Sequence, residues 1–251
     1  MRSDPSPAPI QHIVPRHYLR GFADPSARTD VWVYTKGQAY STGNEVNPRR
    51  NPFRQAIRSA GAARGAYTLR TLAGAQLDAD PVITQQEGWG VEVLRKLRER
   101  APISVDEKIH FSIYIDLMAD RTPARAARAL PFVRKAMQDF PWYPLQRMAA
   151  EEGKFDLARK LDPRVPENVA AFEREQSLRG LMQRSQAIVK QIAMMRWLFF
   201  TLDGDQFFPT TDNPAYFPPG VGLAKDGGFI LMPIDSQSNR PTDHTFQAPL
   251  D

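Results

Sequence analysis

Near its amino terminus the chain contains the stretch Gln11-His12-Ile13-Val14-Pro15-Arg16-His17-Tyr18-Leu19-Arg20-Gly21-Phe22. Proline is tolerated in the first turn of a helix, where its missing N–H is not needed, so Pro15 predicts a short helix over residues 15–23. The turn-forming residues Asp24-Pro25-Ser26 end that helix. The stretch therefore predicts one short helix with His12 just before it.

Strands are predicted toward both ends of the chain. β-Branched and aromatic residues over 31–35 are typical of a strand, and residues 38–41 complete a hairpin with it. Further short strands are predicted at residues 66–69, 207–211 and 228–232. Residues 52–60 are instead predicted to form a helix.

The middle of the chain is predicted to be helical. Residues 81–100 have apolar side chains at helical spacing, and Ser104 with Glu107 forms a capping-box pattern that opens a second helix. Thr122 and Pro123 are typical of the start of a third helix, which runs through residue 138. Shorter helices follow at residues 145–150 and 155–161, and residues 167–202 form one long helix or two joined near Gly180.

This order of strands, helices and strands predicts an α+β fold. Strands from the N-terminal and C-terminal parts are expected to form one small sheet packed on a helical bundle. Residues 10–235 are expected to be a single α+β domain with a central helical region at about 80–202. A disordered tail (1–9) and an irregular tail (236–251) flank it.

Composition excludes several classes of protein. The chain has no cysteine, which excludes disulfides, zinc–thiolate sites, iron–sulfur clusters and a cysteine nucleophile. No apolar run is long enough to cross a membrane and no export signal precedes the fold, so a soluble, cytoplasmic protein without a membrane partner is expected. Glycine-rich phosphate loops, nucleophile elbows and dinucleotide fingerprints are absent, so the cofactor and any metal remain unknown.

Positive charge is concentrated in the N-terminal third. Residues 1–75 contain eleven Arg and Lys against four Asp and Glu, whereas the rest of the chain has twenty-two against twenty-four. On a predicted helix, Arg50, Arg54 and Arg58 would share one face because they are four residues apart. Such a face binds nucleic acid or another polyanion through its phosphates. An ordinary solvated face, with a general bias toward arginine, explains the same pattern.

Four blocks of the sequence resemble the family called domain of unknown function 4238. The first is Gln-His-x-Val-Pro-x-x-Tyr-Leu-x-x-Phe at 11–22, the second is Val-Trp-Val-Tyr at 31–34, and the third is Arg-Thr-Pro at 121–123. The fourth is Trp197 followed by residues 207–214, where Thr211 replaces the family's usual Ser. The resemblance spans residues 11 to about 235 and implies no established activity. The family continues after residue 234, so a shortened or divergent C-terminus is expected.

Three residues are candidates for a catalytic site. His12 is a candidate base or metal ligand, or else a histidine bonded to the backbone. Gln-His-Ile-Val-Pro is similar to the start of an HNH endonuclease motif, but no later histidine has the spacing that this motif requires. Arg121 is a candidate clamp for phosphate or carboxylate, or a partner of helix-end carbonyls. Asp212 is a candidate acid, base or ligand, or a turn residue before Pro214. His17 is predicted to be a surface or packing residue.

Two functions remain open from the sequence. The first is an enzyme acting on a phosphate-bearing substrate, most plausibly nucleic acid, with His12 as base or ligand, Asp212 as acidic partner and Arg121 as anion clamp. It requires these three residues to converge in one pocket. The second is a non-catalytic interaction or regulatory protein whose basic N-terminal third binds a polyanion or an acidic partner.

Overall fold

The computed structural model describes residues 9–34, 52–202, 207–218, 222–223, 225 and 227–236. In this part of the chain six short strands precede the main helices, and the α+β class predicted from the sequence is confirmed. The strands are β1 (Ile10–His12), β2 (Asp30–Val33), β3 (Phe53–Ala56), β4 (Ala62–Arg64), β5 (Thr68–Arg70) and β6 (Gln76–Asp78). The helices are α1 (Arg16–Leu19), α2 (Asp80–Arg98), α3 (Val105–Asp120), α4 (Pro123–Gln138), α5 (Trp142–Glu151), α6 (Phe155–Lys160), α7 (Pro166–Met182) and α8 (Gln186–Met194).

The strands form three separate two-stranded antiparallel sheets, β1–β4, β2–β3 and β5–β6. This differs from the single sheet expected from both ends of the chain. Within the described residues beyond 202, backbone pairing is limited to one bridge between Tyr216 and Leu231. Ile230, Met232 and Ile234 pack against the main core instead, so this segment is held through its side chains.

The helix predicted for residues 52–60 is wrong. Residues 53–56 are β3 and pair with β2, with Trp32 opposite Arg54. Pairing with a distant strand here overrides the local pattern, as tertiary contacts commonly do for short segments. The expected hairpin partner, residues 38–41, lies outside the described residues, as does Arg50.

The central helices largely follow the prediction. Ser104 Oγ accepts from Glu107 N at 3.2 Å and Glu107 Oε2 accepts from Ser104 N at 2.8 Å, so the predicted capping box opens α3. Of the two alternatives predicted for residues 167–202, two helices form, and the break lies at residues 183–185, shortly after Gly180. Ser185 caps the second of them by accepting from Ile188 N. Helix α8 ends at residue 194, eight residues before the predicted end.

The main core lies where α1 packs on the helix pair α2–α3. Tyr18 is fully buried among side chains of these helices and of α8. Gly90 of α2 allows close packing, because a Cβ at this position would lie 2.3 Å from the Tyr114 ring of α3. A separate apolar cluster around Trp142 and Phe172 joins α4 to α7. The 11–22 stretch is therefore seated directly on the central helix pair.

Candidate functional site

Most side chains of the 11–22 stretch anchor the fold. Gln11 is buried, and its Oε1 accepts a hydrogen bond from Tyr67 N at 2.7 Å. Tyr18 donates its hydroxyl proton to the carbonyl oxygen of Pro233 at 2.6 Å, and the same hydroxyl lies 2.9 Å from Thr210 Oγ1. Gln11 and Tyr18 are therefore required for the structure. This structural role distinguishes them from the His12 ring.

Arg98 of α2 joins this stretch to the C-terminal segment. Its guanidinium donates to the backbone carbonyl oxygens of His17 at 3.2 Å, Tyr18 at 2.9 Å and Ile234 at 2.8 Å. Gly21 is required beside it, because a Cβ there would lie 2.3 Å from Arg98 Nη2. The C-terminal segment is thus held against α1 at the edge of the candidate site.

Arg121 lies at the end of α3, and its side chain is 2% exposed. Its Nε donates to the Tyr67 hydroxyl at 3.0 Å, its Nη1 donates to the Glu87 carboxylate, and its Nη2 donates to the backbone carbonyl oxygen of His12. A buried guanidinium requires such partners. Three nitrogens of Arg121 are thus engaged by the protein, and the residue fastens β1 and α2 to the end of α3.

The His12 side chain is directed at the backbone of the turn between β3 and β4. Its Nε2 lies 3.1 Å from the carbonyl oxygen of Arg58. Because a carbonyl oxygen can only accept, the proton of the neutral ring must be on Nε2, and Nδ1 keeps a lone pair. No hydrogen bond to Nδ1 is found in the described part of the chain. Burial, and after it the charge of Arg16, lowers the pKa of His12. The ring is therefore a neutral base at neutral pH.

Two exposed arginines are associated with this ring: the charge of Arg16 lowers its pKa, and the backbone carbonyl of Arg58 bonds to it. Arg16 and Arg58 are exposed, and neither guanidinium has a hydrogen bond or ion pair with any other described residue. A surface cavity of about 220 Å³ lies on the β1–β4 pair and is lined by Ile10, Arg58, Ser59, Ala62, Ala63 and Arg64. Ala62 is the cross-strand partner of His12. His12, Arg16 and Arg58 together are called the His12 surface below.

His17 belongs to a buried polar network, as the packing alternative predicted. Its Nε2 lies 2.9 Å from the Tyr114 hydroxyl, and its Nδ1 lies 3.8 Å from Glu87 Oε2. Burial, and after it the charge of Arg121, lowers the pKa of His17 to about 4. The ring is neutral at physiological pH, and Glu87 lies between it and Arg121. No local sequence pattern pointed to Glu87, Tyr67 or Tyr114 as members of this network.

Asp212 lies in an exposed turn. Asn213 N donates to Thr211 Oγ1 at 3.0 Å, so the Thr211 hydroxyl makes the side-chain hydrogen bond of this turn. Among the described residues no hydrogen bond or ion pair joins Asp212 to His12 or to Arg121. The structure therefore brings His12 and Arg121 together through a backbone carbonyl and does not join Asp212 to them.

Of the three arginines proposed as one polyanion-binding face, the two that the structure describes, Arg54 and Arg58, do not share a helix. Arg54 lies in β3, where its Nη2 donates to Asp24 Oδ2 at 2.6 Å. Arg58 lies in the turn that follows, and Arg50 is outside the described residues. A single helical row of guanidinium groups does not form because residues 53–56 are extended.

The fold and site define an α+β protein in which a Gln-His-x-Val-Pro stretch is anchored on a central helix pair. A family model described as "Protein of unknown function (DUF4238)" matches residues 10–238, and the chain belongs to this family, as the resemblance implied. No curated protein and no solved structure matches the chain.

The described residues contain neither a membrane-spanning helix nor a cluster of metal-ligating side chains. Among the helices that the structure describes, none is long and apolar enough to cross a membrane. The same residues contain no group of three or more His, Asp or Glu side chains that could hold a metal ion. Neither the family description nor these two findings assign a role to the His12 surface.

Proposed function

We propose that the protein acts on a phosphate-bearing substrate at the His12 surface, with His12 as the general base. The observation that carries this proposal is the hydrogen bond from His12 Nε2 to the Arg58 carbonyl oxygen at 3.1 Å. This bond orients the ring and leaves Nδ1 as the basic nitrogen. The charge of Arg16 acts on the ring, and Arg58, whose carbonyl oxygen holds the ring, has an exposed guanidinium group; both cations attract anions.

The chemistry suits hydrolysis of a phosphate ester. His12 Nδ1 would accept a proton from a water molecule whose oxygen attacks phosphorus, and the alcohol would leave with a proton from solvent. A general base must be unprotonated before the reaction, and the lowered pKa of His12 satisfies this condition at neutral pH. Arg16 and Arg58 would hold the phosphate oxygens by charge-assisted hydrogen bonds.

The roles first suggested for the other candidates change in this proposal. Arg121 becomes a positioning residue, since it holds the His12 backbone and its charge helps to lower the pKa of His12. Arg58 and Arg16 take the place of Arg121 as the anion clamp. Asp212 is given no part in the step, because no hydrogen bond or ion pair among the described residues connects it with the ring.

The test is cleavage of bis(p-nitrophenyl) phosphate and of single-stranded oligonucleotides, with and without added divalent cations. His12→Ala is expected to reduce turnover by about 100-fold or more. His110→Ala is the matched control, since His110 is an exposed histidine that stacks on Trp89 of α2, away from the His12 surface. The control should keep full turnover. Equal turnover by both variants, or no turnover by the wild-type protein on any of these substrates, would refute the proposal.

A second candidate function is binding of a polyanion without catalysis. The exposed guanidinium groups of Arg16 and Arg58 favour it, because each phosphate contact releases counterions and needs no base. This function predicts salt-dependent binding that Arg16→Glu and Arg58→Glu abolish and His12→Ala leaves unchanged. Absence of turnover together with that pattern would select this function over the first.

A further inference from the structure

We infer that the exposed side of the β2–β3 sheet stacks the bases of a single-stranded nucleic acid. The surface consists of Trp32, Tyr34 and Arg54 and is called the aromatic face below. This inference rests on the proposed function in one respect, because it specifies nucleic acid as the phosphate-bearing substrate. Its own support comes from different residues.

The alternation of β2 places two large aromatic side chains on one side of the sheet. Val31 is buried and Val33 packs on the main core, so the even-numbered residues face outward. Trp32 is 52% exposed, and Tyr34, immediately after the strand, is 73% exposed. Two neighbouring rings that cover no described core side chain form a platform suited to flat ligands.

Arg54 holds one side of this platform in place. Its guanidinium lies 5.1 Å from the centre of the Trp32 ring, directly across the β2–β3 pair. Asp24 Oδ2 accepts from Arg54 Nη2 at 2.6 Å and Ser26 Oγ accepts at 2.7 Å, which fixes the guanidinium. Hydrogen bonds from Ser26 hold the pKa of Asp24 at about 2, so the carboxylate is charged at neutral pH. The indole is thus preorganised, which reduces the entropy lost when a base stacks on it.

The charge balance of the N-terminal part of the chain favours a polyanion as the occupant. Among residues 9–34 and 52–75 there are seven arginines (16, 20, 28, 54, 58, 64 and 70) against two aspartates, Asp24 and Asp30. Asp24 is already paired with Arg54. A ligand with both negative charge and flat rings matches a platform beside excess arginine. Single-stranded nucleic acid fits because every base has a stacking face.

The aromatic face is close to the His12 surface along the chain. Arg54 in β3 and Arg58 in the next turn are four residues apart, which limits their Cα separation to about 14 Å. Ile57 N donates to Thr29 O at 2.8 Å, so this turn is tied back to the residue before β2. A strand stacked on Trp32 can therefore place a neighbouring phosphate toward Arg58.

The test measures binding of a fluorescein-labelled oligo(dT) and of inorganic polyphosphate, which has the charge but no bases. Trp32→Ala is expected to weaken oligo(dT) binding roughly 5- to 100-fold. It should leave polyphosphate binding unchanged. Trp89→Ala is the matched control, since Trp89 is an exposed tryptophan of α2 and should not affect either ligand. Trp32→Phe keeps a ring and should retain most of the binding, which separates stacking from loss of folding.

Three results would overturn the inference. The first is equal oligo(dT) binding by Trp32→Ala and Trp89→Ala. The second is failure of iodide to quench the fluorescence of the Trp32 indole, because a covered ring cannot stack on a base. The third is Trp32-dependent binding of poly-glutamate in place of oligo(dT), which would assign the face to an acidic protein partner.

The experiment also separates this inference from the proposed catalysis. Trp32→Ala should still cleave bis(p-nitrophenyl) phosphate, which is too small to need the platform, and His12→Ala should still bind oligo(dT). If neither the wild-type protein nor any variant cleaves the phosphate ester while oligo(dT) binding still depends on Trp32, the catalysis alone is refuted. Cleavage by the wild-type protein together with oligo(dT) binding that does not depend on Trp32 would refute the aromatic face alone.

Discussion

Arg121 donates a hydrogen bond to the backbone carbonyl oxygen of His12, which is 109 positions away in the sequence. The two residues therefore meet through the main chain of β1, and the His12 ring is left to bond with the Arg58 carbonyl. Because Arg121 also contacts Glu87 and Tyr67, it connects the candidate base to the buried polar network. From this arrangement we expect separate effects on the stability of the protein and on the candidate site.

Replacing Arg121 by methionine should cost about 3 kcal/mol of unfolding free energy. Removing one partner of a buried ion pair leaves an uncompensated charge, here on Glu87, and a Tyr67 hydroxyl without its donor. The cost is at the lower end for buried pairs because Glu87 is 22% exposed. Urea unfolding measures it, with Arg16→Met as the exposed control. Equal stabilities of the two variants would contradict the role of Arg121.

Gly90→Ala and Gly88→Ala should have opposite effects on stability, although both lie in α2. A Cβ at Gly90 would be 2.3 Å from the Tyr114 ring, and relieving that overlap should cost about 1–3 kcal/mol. A Cβ at Gly88 meets nothing within 4 Å, so alanine there should stabilise the helix by up to about 1 kcal/mol. Thermal unfolding compares them. Equal melting temperatures would show that α2 and α3 are not packed as described.

The buried ring of His17 should make stability depend on pH. Its pKa is about 4 in the folded protein and about 6.5 when unfolded, so the unfolded chain binds more protons between these values. The contribution of His17 is complete above pH 6.5 and is lost as the pH falls toward 4. The loss amounts to roughly 3 kcal/mol at 1.36 kcal/mol per pKa unit.

His17→Gln removes this titration while retaining a side chain able to hydrogen bond with Tyr114. The difference in unfolding free energy between wild type and His17→Gln should therefore shrink as the pH is lowered from 7 to 4. His110→Gln, a substitution at an exposed histidine, is measured in parallel as the matched variant. A constant difference across this pH range would rule out a neutral, buried His17.

How much of the fold was predictable depends on the range of the interactions. The capping box at Ser104 and the start of α4 at Pro123 were predicted correctly, because these signals involve residues within one turn. The pairing of β3 with β2 was missed, since a four-residue strand is defined by its partner more than by its own composition.

The candidate site shows the same limit. His12 was identified because a histidine within a recognisable stretch is chemically conspicuous. The contacts of Arg98 with Ile234, 136 positions apart, and of Arg121 with Glu87 have no local pattern. The sequence therefore indicated the candidate base and not the residues that position it. It also grouped Arg54 with Arg58 on a helix, whereas Arg54 is bound to Asp24 in a strand.

The proposed function requires the His12 ring to be a neutral base at a phosphate-binding surface. The most direct measurement is the NMR titration of the ring nitrogens of His12, with and without a single-stranded oligonucleotide. We expect a proton on Nε2 of His12, a His12 pKa below 6.5 in the free protein, and a higher pKa once an anion lies beside the ring. A His12 pKa that does not respond to the oligonucleotide, or one at or above 6.5 in the free protein, would contradict it.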